Sequence, residues 1–205
     1  AYGGGVYINN ETNTLLGMIN ITGNTAKNKT TSSANNLHLE SGRTVALSNG
    51  SESLSTNSKI GVTTGNVPTL STNVQFATGA TEAMKACFTP DQANRKVVYE
   101  NGGLYLKLYY DVIYQSGNAF YTDEACSSAN KISDITNLST AVKYAKKISF
   151  VGVYNATSDE TVTIPAGKTV TFLRGKDFGS GYNNASMIYV KGATFTINMG
   201  SADSK

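Results

Sequence analysis

Three segments of this chain share one pattern: two alternating apolar residues, a short turn with glycine, a threonine, and two further alternating apolar residues. The copies are residues 37–47, 162–172 and 188–197. The glycines of their turns are Gly42, Gly167 and Gly192. The last two of these glycines are 25 positions apart, about one coil of a solenoid whose coils each supply short strands and bury their apolar face by stacking. The pattern therefore predicts a β-solenoid.

The composition suits such a fold and excludes two classes of partner. Charged residues make up only 15% of the 205 residues, while 40% are apolar, which is enough for a core. The net charge is +3, and no run of basic residues is longer than the pair Lys146 and Lys147. A nucleic-acid groove needs clustered cations, and a membrane span needs a longer apolar run than any in this chain. We therefore expect neither nucleic-acid binding nor membrane insertion.

Short segments in the first third of the chain carry a more specific signal. They read GGGVYI in residues 3–8, ITGNTA in residues 21–26, NNLHL in residues 35–39 and IGVTT in residues 60–64. They resemble the repeats of right-handed parallel β-helix surface proteins and adhesins, pectin-lyase-like in architecture, from Gram-positive gut bacteria. The resemblance implies an all-β fold of right-handed parallel β-helix segments, with a small capping helix and a β-hairpin junction.

The order of segments predicts two units. Residues 64–110 resemble the segment that follows a last coil, and residues 120–205 resemble the start of another β-helix. We place the units at residues 1–115 and 116–205. Both ends of the chain look like cuts through a larger protein, and residues 1–8 and 188–199 are expected to expose unpaired strand edges. Such edges seek partners, so end-to-end self-association is expected.

A hairpin and a helix are predicted around the boundary between these units. Asn101 and Gly102 lie between apolar alternations, which is a strong signal for a tight hairpin turn. Further along, Asn137 or Asp134 can cap a short helix. The apolar stripe of this helix consists of Ile135, Leu138, Val142 and Ala145. We expect the side chains of Lys143, Tyr144 and Lys147 to point away from that stripe, either as a solvated face or as a contact with a partner.

Cys87 and Cys126 are the only cysteines. A disulfide between them would close a loop of about 40 residues, would contribute about 3–4 kcal/mol, and would place the protein in an oxidising, extracytoplasmic setting. The alternative is two free thiols in apolar surroundings. Two cysteines and one histidine do not make a zinc site of the usual kind, and no cofactor is expected.

No arrangement typical of catalysis is visible. A carbohydrate-cleaving β-helix needs acidic residues that converge in one groove, and the acids of the early coils are not adjacent: Glu11, Glu40 and Glu52. Two acidic pairs are interpreted as solvated turns: Asp123-Glu124 and Asp159-Glu160. His38 lies between Leu37 and Leu39, so alternation points it outward as a surface histidine. We therefore expect a protein that is not an enzyme.

Tyrosines offer a better functional signal. Six of the 12 tyrosines fall between Tyr99 and Tyr121, and tyrosine is enriched in binding hot spots. Tyr105, Lys107 and Tyr109 share one predicted face, which is either a recognition surface or the padding of a strand edge. The predicted binding residues are Tyr105, Lys107, Tyr109, Lys143, Tyr144 and Lys147.

The predicted function is that of a non-catalytic repeat module on the bacterial cell surface, outside the cell, which binds a host macromolecule. Similar surface proteins of gut commensals include immunoglobulin-binding, superantigen-like members, so the resemblance implies an immunoglobulin variable domain as one ligand. A host glycan is another. The alternatives are a purely structural stalk and the remnant of a carbohydrate-active β-helix, a polysaccharide lyase or hydrolase that binds glycans.

Overall fold

The protein, described by a computed structural model, is mostly β and contains a β-solenoid of about 5 turns in the part of the chain that the structure describes. This confirms the predicted fold class. The described residues are 5–9, 13–28, 31–166, 168–174, 187–190, 192 and 194–199. The chain divides into two compact units, residues 1–108 and residues 109–205. The predicted boundary between two β-helices at residues 115 and 116 stays a prediction.

Short strands build the first unit. They are β1 (Val6–Ile8), β2 (Asn13–Thr14), β3 (Asn20–Ile21), β4 (Thr25–Asn28), β5 (Thr31–Ala34), β6 (Leu37–Leu39), β7 (Val45–Ala46), β8 (Lys59–Thr64), β9 (Val74–Thr78), β10 (Phe88–Pro90), β11 (Arg95–Glu100) and β12 (Gly103–Leu108). A 3-10 turn, Glu82–Cys87, precedes β10.

Parallel pairing stacks the coils of the first unit. β1, β6, β8 and β10 lie side by side in this order, and β2, β7 and β9 form a second parallel sheet. Val6, Leu37 and Val62 are in register, so one coil takes 31 residues and the next takes 25. Alternate side chains fill the space between the sheets. This core includes Leu37, Leu39, Val45, Leu47, Ile60, Phe76, Leu104 and Leu106.

The first copy of the repeated pattern forms a corner of the solenoid. Leu37 and Leu39 lie on β6, Val45 lies on β7, and all three are fully buried. Gly42 in the turn between these strands has a φ of 75°, a left-handed conformation that glycine adopts without steric cost. The pattern therefore encodes two strands of adjacent sheets and the bend that joins them.

A polar cluster links the coils beside this core. Asp91 accepts hydrogen bonds from the backbone N of Asn36 at 2.8 Å, from the Asn36 amide Nδ2 at 2.6 Å and from the Thr63 hydroxyl at 2.9 Å. The Asn36 Oδ1 accepts from the backbone N of Asn24 at 2.8 Å. Gly61 lies beneath the cluster, where a Cβ atom would be 2.3 Å from both Asn36 Nδ2 and Asp91 Oδ1. The close approach of these side chains requires glycine at this position.

The second unit has its own strands and a short helix. They are β13 (Tyr110–Ser116), β14 (Ala119–Tyr121), α1 (Leu138–Tyr144), β15 (Ala145–Phe150), β16 (Tyr154–Ala156), β17 (Glu160–Ile164), β18 (Thr171–Arg174), β19 (Ile188–Val190) and β20 (Phe195–Met199). A 3-10 turn, Ser128–Asn130, lies between β14 and α1. β13, β15 and β18 pair in parallel, as do β16 with β19 and β17 with β20.

The last two copies of the pattern are corners as well, but they are not one coil apart. Val162 of the second copy pairs with Ile197, at the end of the third copy, and Ile188 pairs with Tyr154. The stacked positions are therefore 34 or 35 residues apart in this unit. The prediction that the 25-residue spacing corresponds to one coil is wrong, because the two copies form different corners. Gly167 lies outside the described residues.

The predicted helix is present as α1. The Asn137 side chain caps it by accepting a hydrogen bond from the backbone N of Thr140 at 2.8 Å. Its apolar side is buried: Leu138, Ala141 and Val142. The helix ends at Tyr144, so the prediction that Lys147 lies on it is wrong: Lys147 is an exposed residue of β15, paired with Val112 and Thr171. The backbone leaves the helix here because the chain joins the parallel sheet.

Glu160 is not part of a solvated turn, as the sequence suggested. It begins β17, and its carboxylate accepts hydrogen bonds from the backbone N of Ser139 at 2.9 Å and from the Tyr154 hydroxyl at 2.5 Å. Burial and the hydrogen bond to Glu160 raise the pKa of Tyr154. The pair therefore anchors the start of α1. Asp159 accepts a hydrogen bond from the backbone N of Thr194 at 2.8 Å.

The predicted disulfide between Cys87 and Cys126 is wrong, since both thiols are free. Cys87 is 1% exposed in the core of the first unit, and its sulfur lies 3.5 Å from the carbonyl oxygen of Ser55. Cys126 is half-buried in the turn after Asp123 and has a φ of 50°. A disulfide needs its sulfurs about 2 Å apart, and the Cys87 sulfur is enclosed by core side chains. The alternative of two free thiols is the one observed.

We expect a maleimide reagent to label Cys126 in the folded, unreduced protein and to label Cys87 only after unfolding. Burial raises the pKa of both thiols, and the nearby Asp123 and Glu124 raise that of Cys126 further. Because the thiolate reacts, labelling should accelerate as the pH rises. Mass spectrometry of labelled peptides measures this, with Cys126→Ser as the control. Failure of the unfolded, unreduced protein to react would contradict the free thiols.

Candidate binding surface

The hairpin of the first unit positions two of the predicted binding residues. β11 and β12 pair in antiparallel register through a tight turn at Asn101 and Gly102, whose φ angles are 48° and 75°. Such angles are typical of the two-residue hairpin turn that the Asn-Gly dipeptide favours. Leu104 and Leu106 are fully buried, and alternation places Tyr105 and Lys107 on the opposite face of β12. The predicted alternation along this strand is confirmed.

Neighbouring strands complete this outer surface. Val98 of β11 lies directly opposite Tyr105, and Gln75 of β9 pairs with Tyr105 on the other side. Lys96 lies directly opposite Lys107. Val97 and Tyr99 pack against the core, which leaves Lys96 and Val98 on the outer side. We call Gln75, Lys96, Val98, Tyr105 and Lys107 the hairpin face.

A glycine allows the middle of the hairpin face to be flat. At Gly103 a Cβ atom would lie 2.6 Å from the Gln75 amide Nε2 and 3.0 Å from the ring carbon Cε2 of Tyr105. The Gln75 amide and the Tyr105 ring therefore lie over the backbone of this residue. A larger residue would displace them, so the sequence keeps a level aromatic and amide surface here.

One end of the hairpin face is cationic. The pKa of Lys96 is lowered, first by burial and then by the positive charges of Lys107 and Lys85. Lys85 lies on the 3-10 turn before β10 and forms an ion pair with Glu82. The hairpin face therefore combines an aromatic middle with a positive end.

The remaining predicted site residues belong to the second unit. Tyr109 is half-buried just before β13, and burial, followed by the charge of Asp111, raises its pKa. Lys143 is exposed and Tyr144 is half-buried at the end of α1, and Lys147 is exposed on β15. Their grouping with Tyr105 and Lys107 into one binding site stays a prediction.

Sequence reasoning missed Lys96, Val98 and Gln75. The signal for the first two was available: a two-residue turn at Asn101 and Gly102 sets the register of the whole hairpin. Counting back from this turn pairs Val98 with Tyr105 and Lys96 with Lys107. Gln75 carried no comparable signal, because its neighbour in space is 30 residues further along the chain.

The outer face of the first coils has a different polar group. His38 is half-buried between the fully buried Leu37 and Leu39, so its predicted outward orientation is confirmed. Its ring lies 5.3 Å from that of Tyr7, whose hydroxyl donates a 2.5 Å hydrogen bond to Glu40. This hydrogen bond is the main cause that lowers the pKa of Glu40. The group holds adjacent coils together.

Searches for other kinds of site returned little. Within the described residues, no three or more His, Cys, Asp and Glu side chains cluster as metal ligands would. No helix in the same part of the chain has the length and apolar character needed to cross a membrane. Comparisons with models of protein families, with curated proteins and with solved structures find no match to this chain.

Proposed function

We propose that this chain is a non-catalytic repeat module of a bacterial cell-surface protein, and that it binds a host macromolecule through the hairpin face. The observation that carries the proposal is the flat surface of Tyr105, Gln75 and Val98 beside Lys96 and Lys107. Tyrosine next to a cation is a frequent composition of binding hot spots. The parallel coils and the paired hairpin hold these side chains on strands, so little ordering is needed on binding.

The class of surface protein and the ligand follow from the resemblance to β-helix adhesins of gut bacteria. An immunoglobulin variable domain, bound as by the superantigen-like members, is one candidate, and a host glycan is the other. Both are large extracellular molecules that a module displayed outside the cell would meet. The solenoid contributes rigidity, because each coil is held by strand pairing and a continuous core.

The test uses the immobilised chain with purified Fab fragments of secretory immunoglobulin and with mucin glycopeptides. For the ligand that binds, the Tyr105→Ala/Lys107→Ala variant is expected to lower affinity about tenfold or more. The comparison variant carries the second unit's predicted residues: Lys143→Ala, Tyr144→Ala and Lys147→Ala. We expect it to bind as the unmodified chain does.

Two outcomes would contradict this proposal. If only the second variant loses affinity, the binding surface lies in the second unit and the hairpin face is excluded. If neither ligand binds the unmodified chain at high concentration, a structural stalk becomes the better interpretation. Circular dichroism of each variant checks that lost binding does not reflect lost folding.

A further inference from the structure

The cationic end of the hairpin face carries an electrostatic cost. Lys96 and Lys107 lie directly opposite each other on neighbouring strands, and like charges in this position destabilise a sheet. Lys85 adds a third positive charge that acts on Lys96. A neutral or acidic residue at either position of the cross-strand pair would remove this repulsion. An anion bound between the two ammonium groups would remove it as well.

Nearby carboxylates are engaged in other contacts. Glu82 forms its ion pair with Lys85. Glu100, at the turn end of the hairpin, accepts from the Asn73 amide at 3.4 Å and 3.5 Å. Along the strands the order is therefore a lysine pair, then Val98 with Tyr105, then Glu100. The positive charge is concentrated at one end of the face.

We propose that this end of the hairpin face binds an anionic saccharide, with a sulfate or carboxylate group between Lys96 and Lys107 and the adjoining sugar ring over Tyr105. The inference rests on the proposed function and specifies its ligand class. The two side-chain pairs are two residues apart along the strand, about 7 Å, which matches one sugar ring and its charged substituent. Lysine ammonium groups bind sulfate and carboxylate as point charges, and Tyr105 supplies a flat apolar surface with a polar edge.

The size of the surface separates a saccharide from larger anions. A nucleic acid neutralises a row of phosphates along an extended stripe of cations, whereas the positive end here is a single cross-strand lysine pair with one lysine nearby. An acidic protein segment would use the charges without needing an open aromatic ring beside them. One charged group attached to one ring fits both pairs of the face together.

The experiment is a calorimetric titration of the full chain with defined probes. They are 3′-sialyllactose, 6-sulfo-N-acetyllactosamine, neutral N-acetyllactosamine, sodium sulfate and a short glutamate peptide. We expect the charged sugars to bind about tenfold or more tightly than the neutral sugar, and expect weaker binding at higher salt. The two charged sugars distinguish a carboxylate from a sulfate source.

Variants locate the site. Lys96→Gln/Lys107→Gln is expected to abolish the preference for charged over neutral sugar, and Tyr105→Ala is expected to weaken both. Lys59→Gln, an exposed lysine on β8 of the same unit, is the matched control and should leave binding unchanged. Because Lys96→Gln removes repulsion, the free variant should melt at the same or a higher temperature, which excludes unfolding as the cause of lost binding.

Several results would overturn the inference. Equal affinity for sulfate ion or for the glutamate peptide would show an unspecific anion site or an acidic protein partner. Retained preference in the double lysine variant would place the charge recognition elsewhere. If Tyr105→Ala/Lys107→Ala loses a macromolecular ligand while no charged sugar binds the unmodified chain, the proposed function stands and the saccharide assignment fails. If no ligand of any kind binds, both fail.

Discussion

Phe76→Ala is expected to lower the free energy of unfolding of the first unit by about 4 kcal/mol. The Phe76 ring is fully buried on β9 and packs edge-to-face on Phe88, with 5.2 Å between the ring centroids. Its removal leaves a cavity between the two sheets, because backbone pairing holds them apart and limits collapse. Urea denaturation followed by circular dichroism measures the change.

The matched control for this substitution is Tyr105→Ala. Tyr105 lies on β12, which pairs with β9, but its ring is on the outer side of the sheet. It is expected to lower the free energy of unfolding by less than about 1.5 kcal/mol, because its ring packs on one side only. Phe76→Leu should fall between the two. Equal effects of Phe76→Ala and Tyr105→Ala would contradict the assignment of inner and outer faces.

Gly61→Ala is expected to destabilise the first unit by about 3 kcal/mol. Alanine in a strand normally gains about 0.5–1 kcal/mol over glycine. Here the added Cβ would sit 2.3 Å from Asn36 Nδ2 and from Asp91 Oδ1. The two side chains must separate, which breaks hydrogen bonds of the nearly buried Asn36. Thermal and urea unfolding of the variant give the measurement.

Gly152→Ala provides the comparison for this effect. Its Cβ would first meet the Ser116 hydroxyl at 3.2 Å, and a hydroxyl can rotate away. The change should therefore stay within about 0.5–1 kcal/mol of the unmodified protein. If Gly61→Ala is as stable as Gly152→Ala, the polar cluster of Asn36 and Asp91 does not restrict this position.

Local features were predictable from the sequence because their causes are local. The Asn-Gly turn sets the hairpin through the left-handed angles that Asn101 and Gly102 accept. Asn137 caps α1 through a contact three residues away. Alternation along β12 places Leu104 and Leu106 inside, and the same periodicity places Tyr105 outside.

Other features depend on contacts across the chain. The length of a coil is set by which strands stack, so the repeated pattern predicted corners correctly and their spacing incorrectly. Glu160 looks like a surface acid in the sequence, yet the Tyr154 hydroxyl and the backbone of Ser139 surround it. Lys147 continues the helical spacing of Lys143, but β15 begins two residues earlier.

The sequence by itself determined that short strands and glycine turns build an all-β solenoid, since alternation and turn chemistry act over a few residues. It also determined which face of β12 carries Tyr105 and Lys107. Only the tertiary structure decided that Lys96 lies against Lys107, that Gln75 lies beside Tyr105, and that Cys87 lies in a core instead of a disulfide. These outcomes depend on the register between strands and on packing, which join residues that are far apart along the chain.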